Sequence, residues 1–503
     1  MTPTATFGHG LVLPDEDATR RLAADVAAML VPGDVVTLTG DLGAGKTTFA
    51  RALIRHLAGE DIDVPSPTFT LVQAYDLPRL SVVHADLYRV TAPSELTEIG
   101  FADATDGAIV LVEWPERAAD AMPADRLDFA LTLDPTQGPT FRDARLTGYG
   151  ALAPRLEQMT VIRQFLDQSG FAEAERWHLQ GDASTRAYER LALGERRAVL
   201  MNAPRRPDGP PVRNGLPYSA IAHLAEDVKP FVAMARALRE RGFSAPEIYA
   251  ADLDAGLLIL EDLGSEGVVD ESGPIDERYA AAIEVLAELH SQTLPAVLPV
   301  DDTEHHIPPY DRDALLIEAE LLLDWYLPHR GAAIDAAARA EFVVVWTETL
   351  RPALDAPSTW VLRDYHSPNL LWLPDRDGSG QVGLLDFQDA LMGPAAYDVV
   401  SLAQDARADV SEALEGALLS RYIKIRQSSD AGFDTDAFVA LYALLGAQRA
   451  TKILGIFARL DKRDGKPQYL RHLPRVWGNL SRCLAHPLLG GLRSWYQRHV
   501  PEP

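Results

Sequence analysis

Apolar residues recur at helical spacing over 15–30, with Leu22, Val26, Met29 and Leu30 on one face, and Pro32-Gly33 closes the segment. The β-branched run 35–39 then predicts a buried parallel strand that enters a glycine turn. Further strands are predicted at 69–75, 82–85, 109–112, 129–133 and 144–147, an α/β rhythm. That rhythm stops across 148–157. A new helix is expected near Gln158, with Met159, Ile162, Phe165 and Leu166 on one face. We place a domain boundary there, giving domains 1–155 and 156–503.

Past the boundary the pattern predicts short strands at 189–192 and 198–201, a Pro-rich loop at 203–217 and a compact strand at 257–260. Helical periodicity dominates beyond Tyr279, interrupted by one loop-strand block at 361–386. The expected second half is a small sheet-rich lobe, about 160–265, ahead of a helical lobe, about 275–490, as in kinases. No stretch reaches the ~18 uninterrupted apolar residues of a membrane span, and the N-terminus lacks a basic start followed by an apolar run. The expectation is a cytoplasmic protein without a membrane partner.

Composition narrows the function classes. At 503 residues the chain exceeds one ordinary core, and 47% hydrophobic with 24% charged residues suits globular domains. A formal net charge of -26 opposes a surface that coats nucleic acid, which needs basic groups for the phosphates. With Cys483 the one cysteine, neither an intrachain disulfide nor a cysteine-based zinc site can form.

Gly40-Asp41-Leu42-Gly43-Ala44-Gly45-Lys46-Thr47 matches the G-x-x-x-x-G-K-[ST] pattern between a predicted strand and a helix over 47–57. Glycines let backbone N–H groups wrap phosphates, the helix N-terminus adds a favourable dipole, Lys46 reaches the terminal phosphates and Thr47 suits magnesium. Thr48 continues the helix start. Such a site also needs an acidic residue at the end of a neighbouring strand, and Asp86 and Glu113 both follow apolar runs. Taken alone, each is equally a helix cap or a surface ion pair.

The segments 40–49, Ser66-Pro67-Thr68-Phe69-Thr70, His84-Ala85-Asp86-Leu87-Tyr88-Arg89 and Val112-Glu113-Trp114-Pro115-Glu116 together resemble the TsaE family over about residues 10–150. The resemblance implies an ATPase that supports threonylcarbamoyladenosine formation at position 37 of tRNA. It also implies TsaD- and TsaB-like transferase subunits as partners, with tRNA contacted only indirectly. By the same resemblance the cofactors are ATP and Mg2+, Gly40, Asp41, Gly43, Ala44, Gly45, Lys46, Thr47 and Thr48 bind nucleotide, and Thr68 sits in a switch-like loop. Asp86 and Glu113 serve metal and water, with Thr47 and Glu113 at the metal, and Trp114 lies near the nucleotide.

Downstream, Arg363-Asp364-Tyr365-His366-Ser367-Pro368-Asn369 sets an Asp and an Asn five residues apart after an apolar strand. This is the spacing of a kinase catalytic loop, in which the Asp takes or orients the acceptor hydroxyl proton and the Asn holds magnesium. Asp386, after Val382-Gly383-Leu384-Leu385, supplies a second metal carboxylate; Asp389 is a ligand or a cap. The segments 181–190, 200–204, 260–264 and 393–398, together with this loop, are similar to the aminoglycoside phosphotransferase superfamily over roughly 160–485. Within it they are most similar to the AmgK-type anomeric kinases of N-acetylmuramate and N-acetylglucosamine. That resemblance implies Ser184 and Arg186 over the ATP phosphates, Glu261 and Leu263 at the adenine hinge, Asp364 as base, Asn369 and Asp386 on magnesium, and an amino-sugar substrate.

One departure is Met201 where the wider superfamily carries a lysine, for which Arg186 or Arg190 could substitute. The expected fold class is α/β, a P-loop NTPase domain followed by a two-lobed protein-kinase-like domain. The first domain is alternatively a P-loop kinase of a small metabolite. The second alternatively phosphorylates an aminoglycoside, choline or another alcohol, or is a regulatory pseudokinase.

Overall fold

The structure is a computed structural model that describes residues 5–78, 80–91, 95, 105–179, 186–205 and 209–503. The chain forms two compact units, 1–202 and 203–503. The expected division near residue 155 falls inside the first unit.

In the first unit a seven-stranded sheet runs β1-β7-β6-β2-β5-β4-β3. Its strands are β1 (Ala5–Leu13), β2 (Val35–Thr39), β3 (Val72–Asp76), β4 (Ser81–Asp86), β5 (Ile109–Glu113), β6 (Arg126–Leu133) and β7 (Arg142–Tyr149). The central strands β6, β2, β5 and β4 are parallel, and antiparallel β1, β7 and β3 flank them. All five residues of β5 are buried, as a strand covered on both faces requires. The β1 strand was not anticipated, because Gly8 and Gly10 interrupt its alternation.

Helices α1 (Glu16–Met29) and α2 (Lys46–Ala58) pack together, and Asp15 caps α1 by accepting the Ala18 N–H at 2.8 Å. The strand expected at 69–75 starts at Val72 instead. Before it, Leu71 N–H closes a turn on Pro67 O at 2.7 Å and Leu71 has φ 64°.

Helix α3 (Leu152–Gln168) begins six residues before the expected Gln158 and packs on β1, β7 and α1. A three-stranded antiparallel meander follows, β8 (Glu175–Leu179), β9 (Ala187–Leu193) and β10 (Arg196–Asn202). Buried charge ties these elements to α1. Asp25 accepts from Arg163 Nη2 at 2.6 Å and from Arg176 Nη1, and Arg176 also pairs with Glu189.

The second unit contains the hairpin β11 (Ile248–Asp252) and β12 (Leu257–Glu261), with α4 (Lys229–Glu240). Its helical part comprises α5 (Asp276–Leu289), α6 (Arg312–Ala319), α7 (Ala336–Thr349), α8 (Ala396–Ala403), α9 (Glu412–Ser429), α10 (Thr435–Asp464), α11 (Leu473–Leu484) and α12 (Gly490–His499). The loop-strand block carries β13 (Ser358–Val361), β14 (Leu370–Trp372), β15 (Val382–Leu384) and β16 (Leu391–Pro394), paired β13-β16 and β14-β15. Among the described residues no helix is long and apolar enough to cross a membrane.

Candidate nucleotide and phosphotransfer sites

The first site lies where parallel strands β2, β4 and β5 end. Gly40 has φ 137°, and a Cβ there would meet Leu131 O at 2.3 Å, so glycine alone fits the turn out of β2. Gly45, φ 107°, caps α2 in the left-handed region. Helix geometry leaves the N–H groups of Lys46, Thr47 and Thr48 without intrahelical carbonyls, a ready anion cradle. Lys46 Nζ donates to Gly40 O at 2.7 Å and Asp41 O at 3.0 Å and lies 3.8 Å from the Trp114 ring centroid. Burial lowers the Lys46 ammonium below its ordinary range against the opposing pull of Glu113, Glu116, Asp86 and Asp41.

The β4–β5 register sets Asp86 beside Glu113. Thr47 Oγ1 donates to Glu113 Oε2 at 3.0 Å, and Thr68 Oγ1 donates to Asp86 Oδ2 at 2.8 Å. Asp86 Oδ1 accepts the Tyr88 N–H at 3.0 Å. Both carboxylates are buried, Asp86 at 4% and Glu113 at 2% exposure, so neither is a surface ion pair.

The second unit has its own constellation. Asn369 Nδ2 donates to Asp364 O at 2.9 Å, so its amide oxygen is not used in that bond. Pairing of β14 with β15, and the Leu385 N–H on Asn369 O at 3.0 Å, bring the start of the Asp386 turn to Asn369. Gln388 Nε2 donates to Asp386 Oδ1 at 2.8 Å. An amide oxygen beside a carboxylate is the hard oxygen donor set that suits magnesium.

Two buried acidic side chains hold the backbone of the 362–367 loop. Asp398 accepts the N–H groups of Leu362 and Arg363 at 2.6 and 2.9 Å, and Asp405 accepts the Ser367 N–H at 2.8 Å. The Asp364 side chain remains 33% exposed. Burial pushes its carboxyl upward, but Lys452, His366, Arg449 and Arg363 outweigh that and hold it below the usual carboxylate range. Seven non-glycine residues have positive φ among the described residues, and four of them, Leu71, Trp114, Arg363 and Asp386, lie in or beside these two sites. Backbone strain is concentrated at the candidate sites.

A family described as threonylcarbamoyl adenosine biosynthesis protein TsaE matches residues 13–140, and one described as phosphotransferase enzyme family matches 178–437. An N-acetylmuramate/N-acetylglucosamine kinase of Caulobacter vibrioides is 43% identical over 359 residues, 69% of this chain and 97% of that protein. The TsaE protein of Rickettsia bellii is 39% identical over 122 residues, 24% of this chain and 85% of that protein. That of Rickettsia felis is 46% identical over 106 residues, of which this chain spans 62% of the length. The chain belongs to the phosphotransferase enzyme family and, ahead of it, to the TsaE family. It is a fusion of two ATP-using enzymes.

Within the TsaE part the structure gathers Lys46, Thr47, Asp86, Glu113 and Trp114, as the motif order implies. Sequence reasoning missed two residues there. Arg142 on β7 donates from Nε to Ala44 O at 2.8 Å and braces the phosphate loop, and His84 lies under Glu113. In the phosphotransferase part, hydrogen bonds link Asn369 to Asp364 and to the Asp386 turn, and Asp389 accepts the N–H of loop residue Ala225 at 2.6 Å. Leu263 is buried, and the Glu261 side chain is taken up by Arg376 and Arg239. Arg186 immediately precedes β9 in the first unit, Met201 is buried in β10, and Ser184 lies outside the described residues. Asp398 and Asp405 had no assigned role, because their bonds to the 362–367 loop reach backbone 35–38 residues away.

Proposed function

We propose that the TsaE part hydrolyses ATP in support of N6-threonylcarbamoyladenosine formation at position 37 of tRNA, working with TsaD- and TsaB-like transferase subunits in the cytoplasm. The phosphotransferase part then transfers a phosphoryl group from ATP to the anomeric hydroxyl of N-acetylmuramate or N-acetylglucosamine. The observation that carries the transfer reading is the joining of Asn369 to both Asp364 and the Asp386 turn. The 43% identity to the Caulobacter kinase supports the acceptor.

In this reading Asp364 orients the acceptor hydroxyl and collects its proton. An anomeric hydroxyl is more acidic than an ordinary alcohol, so positioning is the larger part of the task. Asn369 and Asp386 hold magnesium, which when bound neutralises phosphate charge. Lys452, Arg449 and Arg363 favour the ionised form of the Asp364 carboxyl, the form that can accept the hydroxyl proton. In the ATPase, the loop from Gly40 to Thr48 cradles phosphates, Lys46 swings from its carbonyl partners to the terminal phosphates, Thr47 and Glu113 serve the metal, and Asp86 orders Thr68.

The test is ATP consumption by the purified chain with and without N-acetyl sugars. Lys46→Ala is expected to remove sugar-independent hydrolysis and spare sugar phosphorylation. Asp364→Ala should lower phosphorylation by about 10²–10⁴-fold and spare hydrolysis. If neither substitution separates the activities, the two-site reading fails. Unchanged tRNA modification in cells carrying Lys46→Ala would remove the tRNA role.

A further inference from the structure

The two oxygens of Glu113 have different neighbours. Oε2 accepts from Thr47 Oγ1 at 3.0 Å, and Oε1 lies 2.9 Å from His84 Nε2. An ionised carboxylate only accepts, so Nε2 carries the proton and the imidazole is the donor. His84 is on β4 two residues before Asp86, and the two-residue period of a strand turns both side chains to one face. The register sets Asp86 opposite Glu113 and His84 opposite Leu111, which makes His84 the diagonal neighbour of Glu113.

Nothing about the strand itself calls for a polar residue at this position. His84 has no exposed surface, and Val82, Val83 and Ala85 around it are buried and apolar. Its Nδ1 has no hydrogen-bond partner among the described residues. A buried polar ring with one nitrogen unmatched is a cost that an aliphatic residue would avoid, and the bond to Glu113 is what the ring gains in return.

We propose that His84 is a positioning residue for ATP hydrolysis. It fixes the Glu113 carboxylate through Oε1, so that Oε2 stays presented at Thr47, where metal and water are served. The terminal torsion of a glutamate is broad and two-fold, and without this donor the carboxylate would spread over several orientations. The inference rests on the reading of Glu113 given above.

The experiment compares His84→Leu, His84→Gln, His84→Asn, Glu113→Ala and the His84→Leu/Glu113→Ala double variant in the full chain. Sugar-independent ATP hydrolysis is measured together with ADP binding across a magnesium titration, and thermal unfolding reports folding. His84→Leu is expected to lower kcat by about 10–100-fold with a smaller change in KM, and to raise the magnesium concentration needed for tight ADP binding. His84→Gln, which keeps a donor of nearly the same reach, should recover most of the loss. His84→Asn is one methylene shorter and should not, so this pair decides the matter if the leucine variant is unfolded. The double variant should be no slower than Glu113→Ala alone, because His84 acts through Glu113. The proposal is overturned if a folded His84→Leu keeps wild-type kcat and magnesium dependence, if Gln and Asn behave alike, or if the losses multiply in the double variant. If Glu113→Ala itself hydrolyses ATP at the wild-type rate, the reading of Glu113 fails, and the positioning role with it.

Discussion

His290 shows how a single buried group contributes to the pH response of the second unit. It is 6% exposed, with Nδ1 2.9 Å from Tyr422 OH, and burial followed by the Arg426 charge brings the imidazole down to about 3. The fold therefore favours the neutral ring over the protonated one. A histidine in the unfolded chain titrates near ~6.5, so this stabilisation is complete above that pH and is lost as the pH falls toward the folded value. Between about pH 6.5 and 5 the loss is roughly 2 kcal/mol. Urea midpoints at pH 7 and 5 should shift accordingly, and His290→Asn should remove that part of the shift. Glu318 is the opposite case. Burial opposes its charge, but Arg363 and Lys452 hold its carboxyl well below the usual range, with Tyr310 OH donating at 2.6 Å. Arg363 is thus anchored by Glu318 while its own N–H is held by Asp398, and the residue beside it is Asp364.

Between elements, close approach and buried charge decide the packing. On α10, a Cβ at Gly455 would meet Leu321 C at 2.4 Å and Leu321 O at 2.5 Å, backbone atoms that cannot swing away. Gly455→Ala must push the 321–327 segment from α10 and should cost about 1–3 kcal/mol, read as a lower denaturant midpoint. In the first unit, the Asp25 side chain is 5% exposed and faces Arg163 and Arg176. Asp25→Asn leaves those two cations underpaired, and a loss of about 3–5 kcal/mol is expected in chemical unfolding of the full chain. Asp17→Asn on the same helix is the matched control. Its pair with Arg20 is 62% and 61% exposed and should change stability by less than ~1 kcal/mol.

Over the whole molecule, the compact units and the two family matches do not coincide. The phosphotransferase match begins at residue 178, inside the unit that ends at 202. A boundary near 155 follows from where the strand rhythm stops, but the Asp25 cluster joins α3 and the β8–β9 pair to α1 after that point. The two chemistries remain separable in principle, since Lys46 and Asp364 lie in different units, and the paired Lys46→Ala and Asp364→Ala assays measure that separation. The chain alone made both phosphate chemistries legible, because the phosphate loop and the catalytic loop are contiguous segments whose spacing is itself the geometry. It also carried the α/β order, since buried parallel strands read as apolar runs. Only tertiary structure decided which polar groups meet across elements. His84 reaches Glu113 over 29 residues, Arg142 reaches Ala44 over 98, and Asp398 reaches Leu362 over 36. Such pairs depend on sheet order and on register, and one residue of slip would turn every side chain of a strand to the other face.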